Sequence, residues 1–294
     1  MKDGIGTSTS LGGTPEPVSA GIAPSPEVRI RLPAVPENVG LVRQALAGLA
    51  EHLGIEAGRL ADMKIAITEA CTNAVLHAYG DHDGPLEAAM TVDHGRLVLT
   101  VRDRGHGIHP LPSDNQGPPL GFGLALIASL ADEFGIAGSR HGTEVRIAFT
   151  LEDGEAPPLV VQLTPEESWP EAPTALVLRP GPRAAAVLGR VVSLVAARAD
   201  FSIDRVSDAQ IISDAIAGAV GPHLANGALQ VVIEEREDGF DLLVGPLVAG
   251  GGERLVRDTD LPGLGCLLER LADRLEIEPL GEGERLRARL LARG

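Results

Sequence analysis

Thr68-Glu69-Ala70-Cys71-Thr72-Asn73-Ala74-Val75-Leu76-His77-Ala78-Tyr79-Gly80 is the stretch on which the reading of this chain turns. It forms the second half of a helix that begins near Arg59. Leu60, Ile67, Cys71, Ala74, Val75 and Ala78 recur at helical spacing and make an apolar face. Glu69 and Asn73, four residues apart, project one turn apart from another face. Gly80 and the polar loop 81–85 stop the helix. A carboxylate and a carboxamide on an amphipathic helix fit a solvated surface as well as a site, so the neighbouring sequence decides.

Upstream, residues 27–32 alternate, with Val28, Ile30 and Leu32 on one side, as in a half-buried strand. Pro36-Glu37-Asn38 opens a helix to about Leu53, and Gly54 ends it. Downstream, 86–92 and 96–103 are two strands joined by a turn at Asp93-His94-Gly95. The second strand ends on Asp103 and runs into Arg104-Gly105-His106-Gly107-Ile108. A Pro/Gly/Asn loop follows to Leu120. Gly121-Phe122-Gly123-Leu124 then opens a helix to about Phe134. Strands at 136–139 and 143–150, with Gly142 at their turn, close the unit.

Taken together, these motifs resemble the GHKL ATPase superfamily, and within it the anti-sigma-factor serine/threonine kinases of bacteria. The helix 68–79 is similar to that family's asparagine box. Residues 103–108 resemble its Asp-x-Gly-x-Gly box. Residues 121–127, with Asp132-Glu133 after them, resemble the second glycine box, and Gly142-Thr143 the final Gly-Thr element. The resemblance covers residues 27–151 well and 174–294 in outline.

Residue chemistry fits those positions. Asn73 offers a neutral carbonyl oxygen, a hard ligand for a Mg ion that keeps most of its waters. Asp103 is an acceptor at a strand end, and the resemblance implies that it receives a hydrogen bond from the adenine amino group of ATP. Gly105 and Gly107 let the backbone bend close to a nucleotide. Gly121 and Gly123 lie at a helix N-terminus, which favours phosphate oxygens. Thr143 fits the family's adenine-side contact. Residues 104–120 would form a short lid. Glu69 is the candidate catalytic residue, as general base for an attacking hydroxyl or as the group that orients a Mg-bound water. His77 reads as a helix-end packing residue. His106 and His109 read as exposed loop residues, and no motif fixes Arg104 or Arg140.

Residues 1–26 are rich in Gly, Ser, Thr and Pro and read as a disordered tail. Residues 152–173 carry five prolines among acids and read as a linker that holds Trp169 without evident chemistry. Beyond it the order of elements repeats. Leu130-Ala131-Asp132 recurs as Leu271-Ala272-Asp273, Gly121 and Gly123 as Gly263 and Gly265, and Gly142 as Gly283. A strand is expected at 174–178, helices at 183–199, 203–220 and 263–275, and strands at 229–235, 240–244 and 285–290. Where the first half has Glu69 and Asn73, this reading places Asp214 and Gly218, and no carboxylate stands in for Asp103.

The expectation is therefore an α+β protein of two tandem GHKL (Bergerat-type) α/β sandwiches. Each is a mixed, mainly antiparallel sheet covered by helices on one face, and the second copy is degenerate. The first, 27–151, is the ATP-binding, kinase-like domain, and the second, 174–294, would be its intramolecular dimer partner.

Whole-chain properties bound the function. With 41 acids against 25 Lys and Arg, the net charge of -16 argues against nucleic acid as a partner. No uncharged apolar run reaches membrane-span length, and no basic-then-apolar signal opens the chain, so a cytoplasmic protein is expected. Cys71 and Cys266 read as small buried residues, not as a disulfide or metal pair. The resemblance implies an enzyme that binds a sigma factor and phosphorylates an anti-sigma antagonist on serine, with ATP and Mg as cofactors. The alternative is a nucleotide-gated binding module with little or no transfer.

Overall fold

The computed structural model describes residues 25–80, 82–107, 122–151, 158–160, 169–170, 172–263 and 265–292. The expectations for the tail 1–24, for the loop 108–121 with His109 and Gly121, and for most of the linker lie outside the described residues.

The first half runs β1 (Val28–Pro33), a 3-10 turn at Pro36–Asn38, α1 (Val39–Glu51), α2 (Ala57–His77), β2 (Pro85–Asp93), β3 (Arg96–Asp103), α3 (Phe122–Leu130), β4 (Glu133–Ser139) and β5 (Gly142–Thr150). Strand alternation is as read: Val28, Ile30 and Leu32 are buried, while Arg29 and Arg31 face the other side. The β2–β3 turn places His94 and Gly95 at φ 47° and 71°, the two left-handed positions that match hairpin twist. The helix expected to reach Phe134 stops at Leu130. Asp132 turns the chain, donating its backbone N–H to Ala148 O and accepting the Thr150 N–H at 2.7 Å, so Glu133 and Phe134 begin β4.

The second half runs β6 (Ala175–Leu178), α4 (Pro182–Arg198), α5 (Ile203–Ala219), a 3-10 turn at Gly221–His223, β7 (Leu229–Arg236) and β8 (Gly239–Leu247). It continues with α6 (Gly251–Asp258), β9 (Asp260–Leu261), β10 (Gly265–Cys266), α7 (Leu267–Leu271), β11 (Arg274–Leu280) and β12 (Gly283–Leu291). The helix expected at 263–275 is only the five residues of α7. Gly263 and Gly265, at φ 80° and 75°, belong to the β9–β10 hairpin and not to a helix start. The unforeseen helix α6 begins in a glycine run, but its Gly252 N–H is held by the Glu284 carboxylate and its Leu255 is fully buried.

Two separate mixed sheets were expected. Instead ten strands form one sheet, ordered β11-β12-β8-β7-β6-β1-β2-β3-β5-β4, and each of its pairings is antiparallel. The cause is β1, which pairs on one edge with β2 (Val28 opposite Met90) and on the other with β6 (Val28 opposite Leu178). Inward residues of both halves, among them Ile30, Leu99, Phe149, Leu176, Ile233 and Phe240, join the buried faces of α1, α2, α4 and α5 in one continuous core. Above the β1–β6 seam, α1 meets α4 at backbone contact. A methyl group added at Gly48 would lie 2.6 Å from the Ala186 carbonyl oxygen.

The opposite face of the sheet is charged. Glu87 pairs with Arg31 and Arg104, and Glu144 with Arg102 and Arg146. Asp241 is held by Arg236, Arg287 and Arg289. Trp169, which the sequence left without a role, packs there with Ala172 on Ala175, Val232 and Leu243, and its ring centroid lies 4.5 Å from the Arg29 guanidinium. The indole thus covers the seam from behind.

One hydrogen-bond set occurs in both halves. Arg59 donates to Leu130 O and Asp132, whose carboxylate takes the Thr150 N–H. Arg205 donates to Leu271 O and Asp273, whose carboxylate takes the Leu291 N–H. Arg59 therefore matches Arg205. The same offset superposes the buried series Met63, Ala66, Ile67, Ala70, Cys71, Ala74 on Ala209, Ile212, Ser213, Ile216, Ala217, Val220. The positions matching Glu69 and Asn73 are then Ala215 and Ala219, one residue beyond the Asp214 and Gly218 read from sequence, where an unaided helix alignment slips easily.

Candidate nucleotide site

α2 lies with its apolar face on the sheet and leaves Glu69 and Asn73 half-buried at its side. α3 comes against them. A methyl group added at Gly123 would lie 2.7 Å from Glu69 Oε2 and 3.5 Å from the Asn73 carboxamide atoms. The bare glycine therefore brings the α3 backbone directly onto the Glu69–Asn73 pair. The structure thus brings these three sequence-read residues together, and Gly121 is outside the described residues.

Asp103, Gly105, Gly107 and Thr143 form a second group around the end of β3. Asp103 is buried at the end of β3, and its Oδ1 accepts the N–H of Gly105 at 3.0 Å and of Thr143 at 3.2 Å. Burial pushes its carboxyl up; the two backbone bonds and the Thr143 hydroxyl pull against that, and the net shift is upward. Close approach explains the glycines. A methyl at Gly105 would lie 1.9 Å from Ala78 O, and one at Gly107, where φ is 71°, 1.8 Å from Ser139 O. The chain after β3 thus threads between the C-terminal end of α2 and the β4–β5 turn, and the His106 N–H closes it on Ala78 O at 2.9 Å.

Tyr79 is the residue that sequence reasoning missed. Its hydroxyl donates to Pro85 O at 2.5 Å and accepts the Arg104 N–H at 2.7 Å, tying the end of α2 to β2 and β3. Burial pushes its phenol up to about 12. It is the one tyrosine of the chain, and a methyl on Gly84 would lie 2.0 Å from its ring. His77, read as a packing residue, is exposed at the helix end.

Chemically, the first half offers a buried carboxylate at a strand end and a carboxylate–carboxamide pair against the α3 backbone. Among the described residues no three His, Cys, Asp or Glu side chains gather to hold a metal ion. A divalent ion at Asn73 would take one protein oxygen and draw its remaining ligands from water or phosphate, as suits Mg.

An antiparallel sheet with helices on one side, a buried strand-end carboxylate and glycine turns at the cleft is the arrangement of the GHKL class. Comparison with known proteins agrees. The profile of the histidine kinase-like ATPase domain matches residues 32–149. The serine-protein kinase RsbW of Bacillus velezensis is 36% identical over 119 residues, 36% of this chain and 74% of that protein. RsbW of Bacillus subtilis strain 168 is 35% identical over the same shares, and RsbW of Oceanobacillus iheyensis 29% identical over 44% of this chain and 89% of that protein. Among solved structures, the histidine kinase domain of the Erythrobacter litoralis EL346 blue-light activated histidine kinase is similar at 25% identity and a TM-score of 0.29, covering 40% of this chain and 62% of that one. The chain belongs to the histidine kinase-like ATPase family, with bacterial serine-protein kinases as its relatives. Among the described residues no helix is long and apolar enough to cross a membrane.

Proposed function

We propose that this protein is an ATP-dependent serine/threonine kinase of the anti-sigma-factor type, which binds a sigma factor and phosphorylates an anti-sigma antagonist on serine. The observation that carries the reading is the convergence of Glu69 and Asn73 on Gly123, in the same half as the buried Asp103 with its Thr143 N–H. Asp103, already fixed by two backbone N–H groups, would accept the adenine amino group. Asn73 would hold Mg, which when bound neutralises charge on the transferred phosphoryl group. Glu69 would take the proton of the attacking serine hydroxyl, or orient the water on the metal.

The same reading makes 27–151 the working domain and 174–294 a degenerate copy of it. Ala215 and Ala219 offer no ligand where Glu69 and Asn73 stand. A methyl at Gly283 would meet Leu247 O at 2.1 Å as one at Gly142 meets Asp103 O, so Leu247 occupies the place of Asp103. Glu284, opposite Leu247, is spent on the Gly252 N–H of α6, whose far end is tied by Asp258 to His223 at 2.7 Å. The second half would then be a built-in partner for a single active site.

Nucleotide binding by wild type and Asn73→Ala, with and without Mg, tests the site. Asn73→Ala is expected to lose the Mg-dependent part of ATP affinity, about tenfold or more. Equal Mg-ATP affinity in both proteins would remove Asn73 from the site. Incubation with labelled ATP, Mg and candidate antagonists tests the activity. Labelled phosphoserine is expected; ATP binding without transfer would leave a nucleotide-gated binding module.

A further inference from the structure

Behind the loop that carries Gly105, on the charged side of the sheet, lies an open hollow of about 560 Å³. Arg102, Arg104, Arg140, His82, His106 and His141 line it, with the Tyr79 ring. Among the described residues no carboxylate lines it. The nearby Glu87 and Glu144 stand behind it, and each is shared between two guanidiniums. Arg140 donates Nε–H to His141 Nε2 at 2.9 Å, which holds these two exposed side chains of the β4–β5 turn together at the rim. Three of the chain's eight histidines meet here, in a protein of net charge -16. Glu87 and Glu144 are each shared with a second arginine, Arg31 and Arg146, so the guanidiniums around the hollow outnumber the carboxylates that neutralise them.

The hollow lies on the other side of β3 from the Asp103 carboxylate. Asp103 turns its carboxylate to the Thr143 N–H, whereas Arg102 and Arg104, on either side of it in sequence, line the hollow. We propose that this hollow is a second, separate anion site, which takes a phosphate group: guanidinium forks and imidazole N–H groups match tetrahedral phosphate oxygens. The inference does not rest on the kinase reading, since nucleotide, metal and protein substrate play no part in it.

The test is titration of the full chain, free of nucleotide and at constant ionic strength, with inorganic phosphate and in parallel with O-phosphoserine. The readout is the ring-proton NMR shifts of His82, His106 and His141 against the other five histidines. Saturating shifts confined to these three are expected. Saturation by both probes assigns the site to the phosphate group in general; saturation by one alone assigns it to the free ion or to the ester. Arg140→Glu should weaken the response about tenfold or more, as loss of one charge-assisted contact requires. His141→Gln should weaken it less, and both exposed-site variants should melt as wild type does. Shifts that fail to saturate, that chloride reproduces, or that survive Arg140→Glu overturn the proposal. So does a response lost in Asn73→Ala but kept in Arg140→Glu, which would place the phosphate in the nucleotide cleft.

Discussion

Asp103 states the conflict between stability and function most sharply. Its carboxyl is held above the ordinary value because burial outweighs the N–H groups of Gly105 and Thr143. Between the ordinary carboxylate value and the raised one, the folded chain binds more protons than the unfolded chain. Stability contributed by this residue therefore falls as pH rises through that window and stays lowered at neutral pH. Asp103→Asn keeps an oxygen for both backbone donors and removes the buried charge. Its melting temperature at pH 7 should equal or exceed that of wild type, while ATP affinity drops about 10- to 100-fold. A lower melting temperature with intact ATP binding would reverse this account. The positions of Glu69 and Asn73 on one helix and of Asp103 at a strand end follow from periodicity, which the sequence carries. The role of Tyr79 does not, because its partners are backbone groups of Pro85 and Arg104, and backbone leaves no trace in a sequence pattern.

Among the elements, α1 and α4 set the tightest tolerance. Alanine is the better helix former by about 1 kcal/mol. At Gly48, however, its methyl would enter backbone of α4, and such overpacking costs about 1–3 kcal/mol. Gly48→Ala should therefore lower the midpoint of urea unfolding. Gly218→Ala, in α5 with nothing within 4 Å of the added methyl, should leave it unchanged or raise it. The β8–β12 pair rests on Asp241. Burial alone would push its carboxyl up, but hydrogen bonds from Arg289, Arg236 and Arg287 overcome that and hold it at about 2. The stability it supplies is complete above its ordinary value and is lost as pH falls toward 2. Asp241→Asn should cost on the order of 2–3 kcal/mol at neutral pH, with the difference from wild type shrinking as pH falls below 4. A pH-independent difference would assign the effect to packing. Long helices and strands were readable from period; the 251–275 region was not. Its glycines read as a helix start, whereas tertiary contacts of Leu255 and Glu284 place the helix earlier and leave the glycines in a hairpin.

At the scale of the whole molecule, the strand–helix–helix–strand–strand order expected at 174–244 is present, but the single sheet was not visible in the sequence. Edge pairing of β1 with β6 uses main-chain groups, and alternation in either strand is the same with or without a neighbour. The shared core predicts one cooperative unfolding transition for both halves. Trp169, the one tryptophan, sits on the seam between them. Its fluorescence and the far-UV circular dichroism should therefore change together in denaturant. An earlier fluorescence change, with most helix retained, would mean that the halves part before either unfolds. The seam has a further consequence. Two chains joined edge to edge separate on dilution and can exchange subunits with other pairs. Here both edges belong to one polypeptide, so the local concentration of each for the other is set by the tether and not by the solution. Whatever surface the paired halves build together is present in every molecule, at any abundance, always in one copy, and cannot be traded with a neighbour.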